Sequence, residues 1–86
     1  MRHLPQALKS FKVPCKVPIE ELDDVVAEIE QAEVKLEGRG RVLVRYSGTQ
    51  QMARVMVEGP DQPLVDALTQ SISHRLLTSL ESYAAD

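Results

Sequence analysis

Aromatic residues are scarce in this sequence, whose 86 residues include one phenylalanine, two tyrosines and no tryptophan. Phe11, Tyr46 and Tyr83 are dispersed along the chain, whereas proteins that bind single-stranded RNA stack the bases on aromatic side chains grouped on one surface. The scarcity argues against a base-stacking platform. We therefore predict no nucleic-acid partner.

Cysteine and long apolar runs are also lacking. The single cysteine, Cys15, cannot form an internal disulfide and is too little for a metal site, so we expect it in the core. No apolar run is long enough for a membrane span, and we predict no membrane partner. A secretory signal contains a run of roughly 7 to 15 apolar residues. Basic and polar residues occur too frequently within residues 1–13 for such a run. A cytoplasmic location is expected.

The charges are unevenly distributed, although the net charge is only −3. Residues 19–37 hold eight acids against one lysine, and residues 38–57 hold four arginines and no acid. A small group of arginines in an acidic protein suits a small anion better than a nucleic acid, which needs a broad basic surface.

The first half of the chain predicts a strand and a helix. Apolar residues alternate over residues 10–18, which is the period of a half-buried strand, and Pro14 restricts that strand to an edge or a bulge. Apolar residues then recur at helical intervals between the acids, which predicts a helix over residues 21–36. Asp23 or Asp24 is the expected N-cap, and Gly38 the expected stop.

The second half predicts two strands and a helix. Residues 41–46 and 54–58 alternate and are rich in valine, and the loop between them, residues 47–53, is longer than a hairpin turn needs. Asp61 is the expected N-cap of a helix to about Tyr83. Its apolar face comprises Val65, Leu68, Ile72, Leu76 and Leu80. We predict a single α+β domain over residues 1–86 of order β-α-β-β-α, with two helices on one face of an antiparallel sheet of three to four strands.

The segment RYSGTQQMAR places two arginines at the ends of the long loop. Because directly opposed residues of an antiparallel pair point to one face, Arg45 and Arg54 are predicted to frame a pocket. Ser47 and Thr49 offer hydroxyl groups, and Gly48 allows a left-handed backbone or a close approach. Guanidinium groups match the oxygens of phosphate, so we predict a phosphate site. Arginines at strand ends are commonly only solvated, and Ser-Gly-Thr is common in turns, so that alternative stays open.

The segment GRVLVRYSGTQQMARVMVEG, residues 40–59, resembles the phosphate-binding loop of the α-D-phosphohexomutases. Their fourth, C-terminal domain carries R-P-S-G-T-E-P-x-x-R between two strands, and the segments RVMVEG and LPQALKSFKV resemble the phosphoglucosamine mutases in particular. Phosphomannomutases and phosphoglucomutases are the alternative within the superfamily. The resemblance implies a fold like that of the TATA-binding protein, and it implies that residues 1–9 are the remnant of an interdomain connection. The phosphate contacts that it implies are Arg45, Ser47, Gly48, Thr49 and Arg54, with Gln50 and Gln51 as further loop contacts.

Three positions depart from the family pattern. Tyr46 stands where proline is frequent, Gln50 where glutamate is usual and Gln51 where proline is usual. The loss of the acid makes the pocket less negative. The loss of two prolines predicts a more flexible loop, since proline restricts the unanchored chain.

The resemblance implies a parent isomerase that interconverts glucosamine 6-phosphate and glucosamine 1-phosphate through a bisphosphate, on the route to cell-wall amino sugars. Such an enzyme uses a phosphoserine, a Mg²⁺ loop and a sugar-reading loop in its other domains, and none of these is present here. We predict no catalytic and no metal-binding residue in this chain. The expected partners are a phosphosugar and the other domains of the parent, and the isolated domain is expected to be inactive. The alternative from a different class is a free-standing α+β module that binds RNA or a protein.

Overall fold

The computed structural model describes residues 4–85. Along the chain it contains strand β1 (Gln6–Lys12), helix α1 (Asp23–Leu36), strands β2 (Arg41–Tyr46) and β3 (Met52–Glu58), and helix α2 (Gln62–Ala85). A single 3-10 turn, Ile19–Glu21, precedes α1. The predicted α+β class and the order β-α-β-β-α are confirmed. Neither helix in this part of the chain is long and apolar enough to cross a membrane.

The sheet has three antiparallel strands in the order β1-β3-β2, so β3 lies in the centre. Successive residues of a strand point to opposite faces. On one face, Ala53, Val55 and Val57 of β3 are at most 1% exposed. The core therefore lies against one face of the sheet, and the other face is open.

Both helices contribute to that core. The predicted apolar stripe of α2 is confirmed, since all five of its residues are buried: Val65, Leu68, Ile72, Leu76 and Leu80. Helix α1 buries Val25, Ala32 and Leu36. Val26 and Ile29 of the same helix are half-buried, and α1 packs on α2 and beside β2.

The ends of α1 differ from the prediction. The prediction that Asp23 or Asp24 caps the helix was wrong, because the N-cap position is held by Leu22, without a side-chain cap. Leu22 is 1% exposed, so the core fixes this residue at the helix start. The Asp24 carboxylate instead accepts from the Ser79 hydroxyl at 3.0 Å and so links α1 to α2. At the other end, Glu37 is the left-handed cap with φ 54°.

Strand β1 begins earlier than predicted. The prediction placed a strand over residues 10–18, but β1 ends at Lys12 because its partner β3 begins at Met52, directly opposite Lys12. Residues 13–18 have no partner strand and form an irregular segment. Residues 6–9, predicted to belong to an interdomain connection, are the start of β1; residues 1–3 lie outside the described part.

Strand β3 is longer than predicted, because Met52 and Ala53 pair with β1 and Ala53 also pairs with Tyr46. The loop between β2 and β3 is therefore residues 47–51, and we call it the hairpin loop. It is closed by the Ser47 amide, which donates to the Met52 carbonyl at 2.9 Å.

Candidate functional site

The two arginines at the ends of the hairpin loop lie directly opposite each other. Arg45 of β2 pairs with Arg54 of β3 in the antiparallel register, which confirms the predicted pairing. Directly opposed residues point to the same face. Because Val55 of β3 points into the core, Arg54 and Arg45 lie on the open face.

A cleft of about 240 Å³ lies at this end of the open face. Its lining comprises Arg45, Tyr46, Ser47, Gly48 and Arg54. Arg54 also lines a second depression of about 40 Å³, together with Gln50 and Ser10. The predicted site residues Thr49 and Gln51 line neither cleft, so the structure brings together only part of the predicted set.

The Ser47 side chain shapes the hairpin loop. Its Oγ accepts from the Gln50 amide at 3.2 Å and from the Thr49 amide at 3.4 Å. A serine hydroxyl has one donor in addition to its acceptor lone pairs. The Ser47 hydroxyl proton is therefore free to be donated toward the cleft while its oxygen holds the loop.

Gly48 does not have the left-handed backbone that the sequence suggested. Among the described residues, the glycine with a positive φ is Gly38. A Cβ atom added at Gly48 would meet no atom within 4 Å. The fold itself therefore does not require glycine at this position.

Positive charge is concentrated at the loop end of the open face. Within residues 4–85, neither Arg45 nor Arg54 takes part in an ion pair. Arg41, further along the same face, is paired with Glu58 at 3.4 Å. Like charges directly opposite each other destabilise a strand pair, so the arginine pair is unfavourable for the sheet unless an anion offsets it.

A larger groove of about 350 Å³ lies on the outer surface of α1. It is shallow, and its lining comprises Ala27, Glu30, Gln31, Val34 and Lys35. One carboxylate and one ammonium group give it no excess positive charge. The excess of positive charge lies instead at the smaller cleft, which is lined by Arg45 and Arg54.

Carboxylates do not gather into a metal site in the described range. Among residues 4–85 no group of three or more histidine, cysteine, aspartate or glutamate side chains could hold a metal ion. The adjacent acids Asp23 and Asp24 are exposed at the start of α1. The predictions that the chain holds no metal ion and no catalytic residue remain predictions.

Two of the three departures from the family pattern make contacts that the sequence did not suggest. The Tyr46 hydroxyl donates to the Val17 carbonyl, and the Gln51 amide nitrogen donates to the Pro14 carbonyl at 2.9 Å. The predicted loosening of the loop by the loss of two prolines is therefore opposed by two side-chain hydrogen bonds. These partners are 29 and 37 residues apart in sequence, so no local pattern could have indicated them.

The chain is similar to mutases that act on phosphorylated hexosamines, as their names state. The phosphoglucosamine mutase of Solidesulfovibrio magneticus is 45% identical over 76 residues, which cover 88% of this chain and 17% of that protein. The phosphoglucosamine mutase of Leuconostoc mesenteroides is 47% identical over 70 residues, which cover 81% of this chain and 15% of that protein. This chain thus spans about one sixth of the length of these relatives.

Two solved structures share the fold. An N-acetylglucosamine-phosphate mutase of the α-D-phosphohexomutase superfamily, in its product complex, aligns with a TM-score of 0.65 and 28% identity over 83% of this chain and 15% of that protein. The N-acetylphosphoglucosamine mutase of Aspergillus fumigatus, in complex with GlcNAc-6P and magnesium, aligns with a TM-score of 0.71 and 22% identity over 90% of this chain and 16% of that protein. The phosphoglucomutase/phosphomannomutase C-terminal domain family matches residues 8–75. The chain therefore belongs to this family, in the α-D-phosphohexomutase superfamily, and the resemblance found in the sequence is confirmed.

Proposed function

We propose that this domain binds the phosphate group of a phosphorylated hexosamine between Arg45 and Arg54. The observation that carries the proposal is the register of β2 and β3, which sets these two arginines opposite each other on the open face. Both line one cleft. The residues proposed to contact the phosphate are Arg45, Ser47, Gly48, Thr49 and Arg54, with Gln50 and Gln51 at the margin.

The chemistry of the cleft matches a phosphate. Each guanidinium group offers a planar fork of donors that fits two phosphate oxygens, and such charge-assisted bonds are about twice as strong as neutral ones. The Ser47 hydroxyl donates a further bond. Gly48 leaves its backbone open to close approach, since nothing in the fold fills the space where a side chain would stand.

The role of the domain is to hold the phosphate that is not reacting. In the proposed parent, a cytoplasmic phosphoglucosamine mutase, the sugar passes through a bisphosphate and must turn around between two phosphoryl transfers. A domain that grips one phosphate during the turn keeps the intermediate from escaping. The chain contributes binding and no bond making, and the Mg²⁺ and the phosphoserine belong to other domains.

The isolated domain is expected to bind a phosphosugar weakly, with a Kd on the order of millimolar, because it presents only part of the site. Phosphate contacts are screened by salt. The affinity is therefore expected to fall as ionic strength rises.

The proposal is tested by titrating the chain with glucosamine 6-phosphate while recording amide chemical shifts. Shifts confined to the hairpin loop and Arg54, and weakened by Arg45→Ala, are expected. Arg39→Ala is the matched control, because Arg39 is an exposed arginine outside the cleft. A response on another surface, with the loop amides unchanged, would show that the site is wrong, and a shift with RNA at low salt would favour the free-standing module.

A further inference from the structure

The hairpin loop lies against residues 13–17, which we call the brace segment. The Val13 amide donates to the Gln51 carbonyl at 3.0 Å. At the other end of the loop, the Lys16 ammonium donates to the Ser47 carbonyl at 2.6 Å. The backbone is therefore held at the first and the last residue of the loop.

Two side chains of the hairpin add contacts to the same segment. The Tyr46 hydroxyl donates to the Val17 carbonyl at 2.5 Å, and the Gln51 amide nitrogen donates to the Pro14 carbonyl at 2.9 Å. Tyr46 packs against the hydrophobic core through its ring. Tyr46 and Gln51 stand at the two positions where proline is frequent or usual in the pattern that the sequence resembles.

The brace contacts and the anion-binding groups meet at Ser47. Its carbonyl accepts from Lys16, and its Oγ accepts from the Thr49 and Gln50 amides. A loop whose ends are fixed loses less conformational entropy when it closes on a ligand, and this preorganisation raises affinity. Proline achieves the same by restricting the free chain.

We propose that Tyr46 and Gln51 are positioning residues that fix the hairpin loop on the brace segment and thereby strengthen its binding of phosphate. The proposal rests on the proposed function. It assigns the ordering of the loop to the side-chain hydrogen bonds of Tyr46 with the Val17 carbonyl and of Gln51 with the Pro14 carbonyl. Neither residue needs to touch the anion through its side-chain polar group.

The inference is tested with Tyr46→Phe, which removes only the hydroxyl, and Gln51→Met, which keeps the length but removes the donor. Loss of one such hydrogen bond is expected to weaken the binding of inorganic phosphate by about two- to tenfold. The Thr49 and Gln50 amides should also exchange with solvent faster, since the loop opens more often. Tyr83→Phe and Gln31→Met are matched controls on exposed helix positions, and both should leave the two readouts unchanged.

A purely structural role would shift the melting temperature of the variants while leaving phosphate affinity and loop exchange unchanged well below that temperature. That result in both variants overturns the inference. Gln51 is exposed, so Gln51→Met decides the question even if Tyr46→Phe unfolds the chain. If the unchanged chain binds no phosphate at the loop, or Arg45→Ala has no effect, the proposed function fails instead. If phosphate binding depends on Arg45 and neither variant weakens it, the inference fails and the proposed function stands.

Discussion

The alternation of side chains along the strands gives the two faces of the sheet different compositions. On the covered face, Ala53, Val55 and Val57 are at most 1% exposed and pack beneath the helices. On the open face, Arg54 and Met56 alternate with them along the same strand. Apolar periodicity explains the covered face through burial, whereas the side chains of the open face are exposed or half-buried.

The side chains of the open face change along the strands from an ion pair to apolar residues and then to arginines. At the end remote from the hairpin loop, Arg41 and Glu58 form an ion pair. In the middle, Leu8 lies 60% exposed and Leu43 40% exposed, on either side of Met56. At the loop end stands the arginine pair. Within residues 4–85, the basic side chains of this face that form no ion pair thus lie toward the loop end, where Lys12 stands opposite Met52 one row beyond the arginines. The difference between the faces teaches that the sheet separates a buried apolar face from an open face whose charge is concentrated near the loop.

The largest expected effect is on the covered face. Ile72 of α2 is 0% exposed, and Ile72→Ala is expected to lower the free energy of unfolding by about 2–5 kcal/mol, through lost burial and the cavity left behind. That is a large part of the roughly 5–15 kcal/mol that a domain has. Urea denaturation measures it. A loss below about 1 kcal/mol would contradict the assignment of this face as the core.

The second effect separates binding from stability. Arg54→Ala is expected to weaken phosphate binding by about 1.5–3 kcal/mol, the range for hydrogen bonds to charged groups. Its free energy of unfolding should change by less than about 0.5 kcal/mol, because exposed substitutions have small effects. Relief of the repulsion from Arg45 acts in the stabilising direction. Unfolding of the variant would show that this arginine is structural, which would break the comparison of the two faces.

The third effect is a pH dependence at Tyr46. Burial raises the pKa of the Tyr46 phenol above its ordinary value of 10.0, so the folded state holds this proton more tightly than the unfolded state. The contribution of this group to the free energy of unfolding is fully present below pH 10.0 and is lost as the pH rises through the raised pKa. Phenolate also cannot donate to the Val17 carbonyl. The free energy of unfolding should fall more steeply above this pH in the unchanged chain than in Tyr46→Phe, and parallel pH profiles would refute the prediction.

The smallest effect concerns the remote end of the open face. A double-mutant cycle with Arg41→Ala and Glu58→Ala is expected to give a coupling energy of about 0.2–1 kcal/mol, which is typical of exposed ion pairs. It should decrease with added salt. A coupling well above that range would mean that the open face also stabilises the domain.

Periodicity alone predicted much of the fold. The strands β2 and β3 and the apolar stripe of α2 follow from repeats of two and of about 3.6 residues, and the pairing of Arg45 with Arg54 follows from an antiparallel hairpin. The end of β1 could not be read in the same way. Apolar alternation continues past Lys12, and only the start of β3 at Met52 ends the pairing.

The finer features of the site depend on contacts between distant segments. The start of α1 is set by burial of Leu22, which outweighs a carboxylate cap. The contacts of Tyr46 and Gln51 with the brace segment, and of Lys16 in that segment with Ser47, join residues 29 to 37 positions apart. Their partners are backbone carbonyls, which every residue has, so the sequence carries no signal for them.

The most direct test of the central claim is to follow the side-chain Nε–H signals of Arg45 and Arg54 during a titration with phosphate. Single Arg→Lys variants assign the two signals. If both guanidinium groups bind one anion, both signals shift together and reach their midpoints at the same phosphate concentration. Signals that shift at different concentrations, or a signal of either arginine that does not shift while phosphate binds elsewhere, would contradict the account.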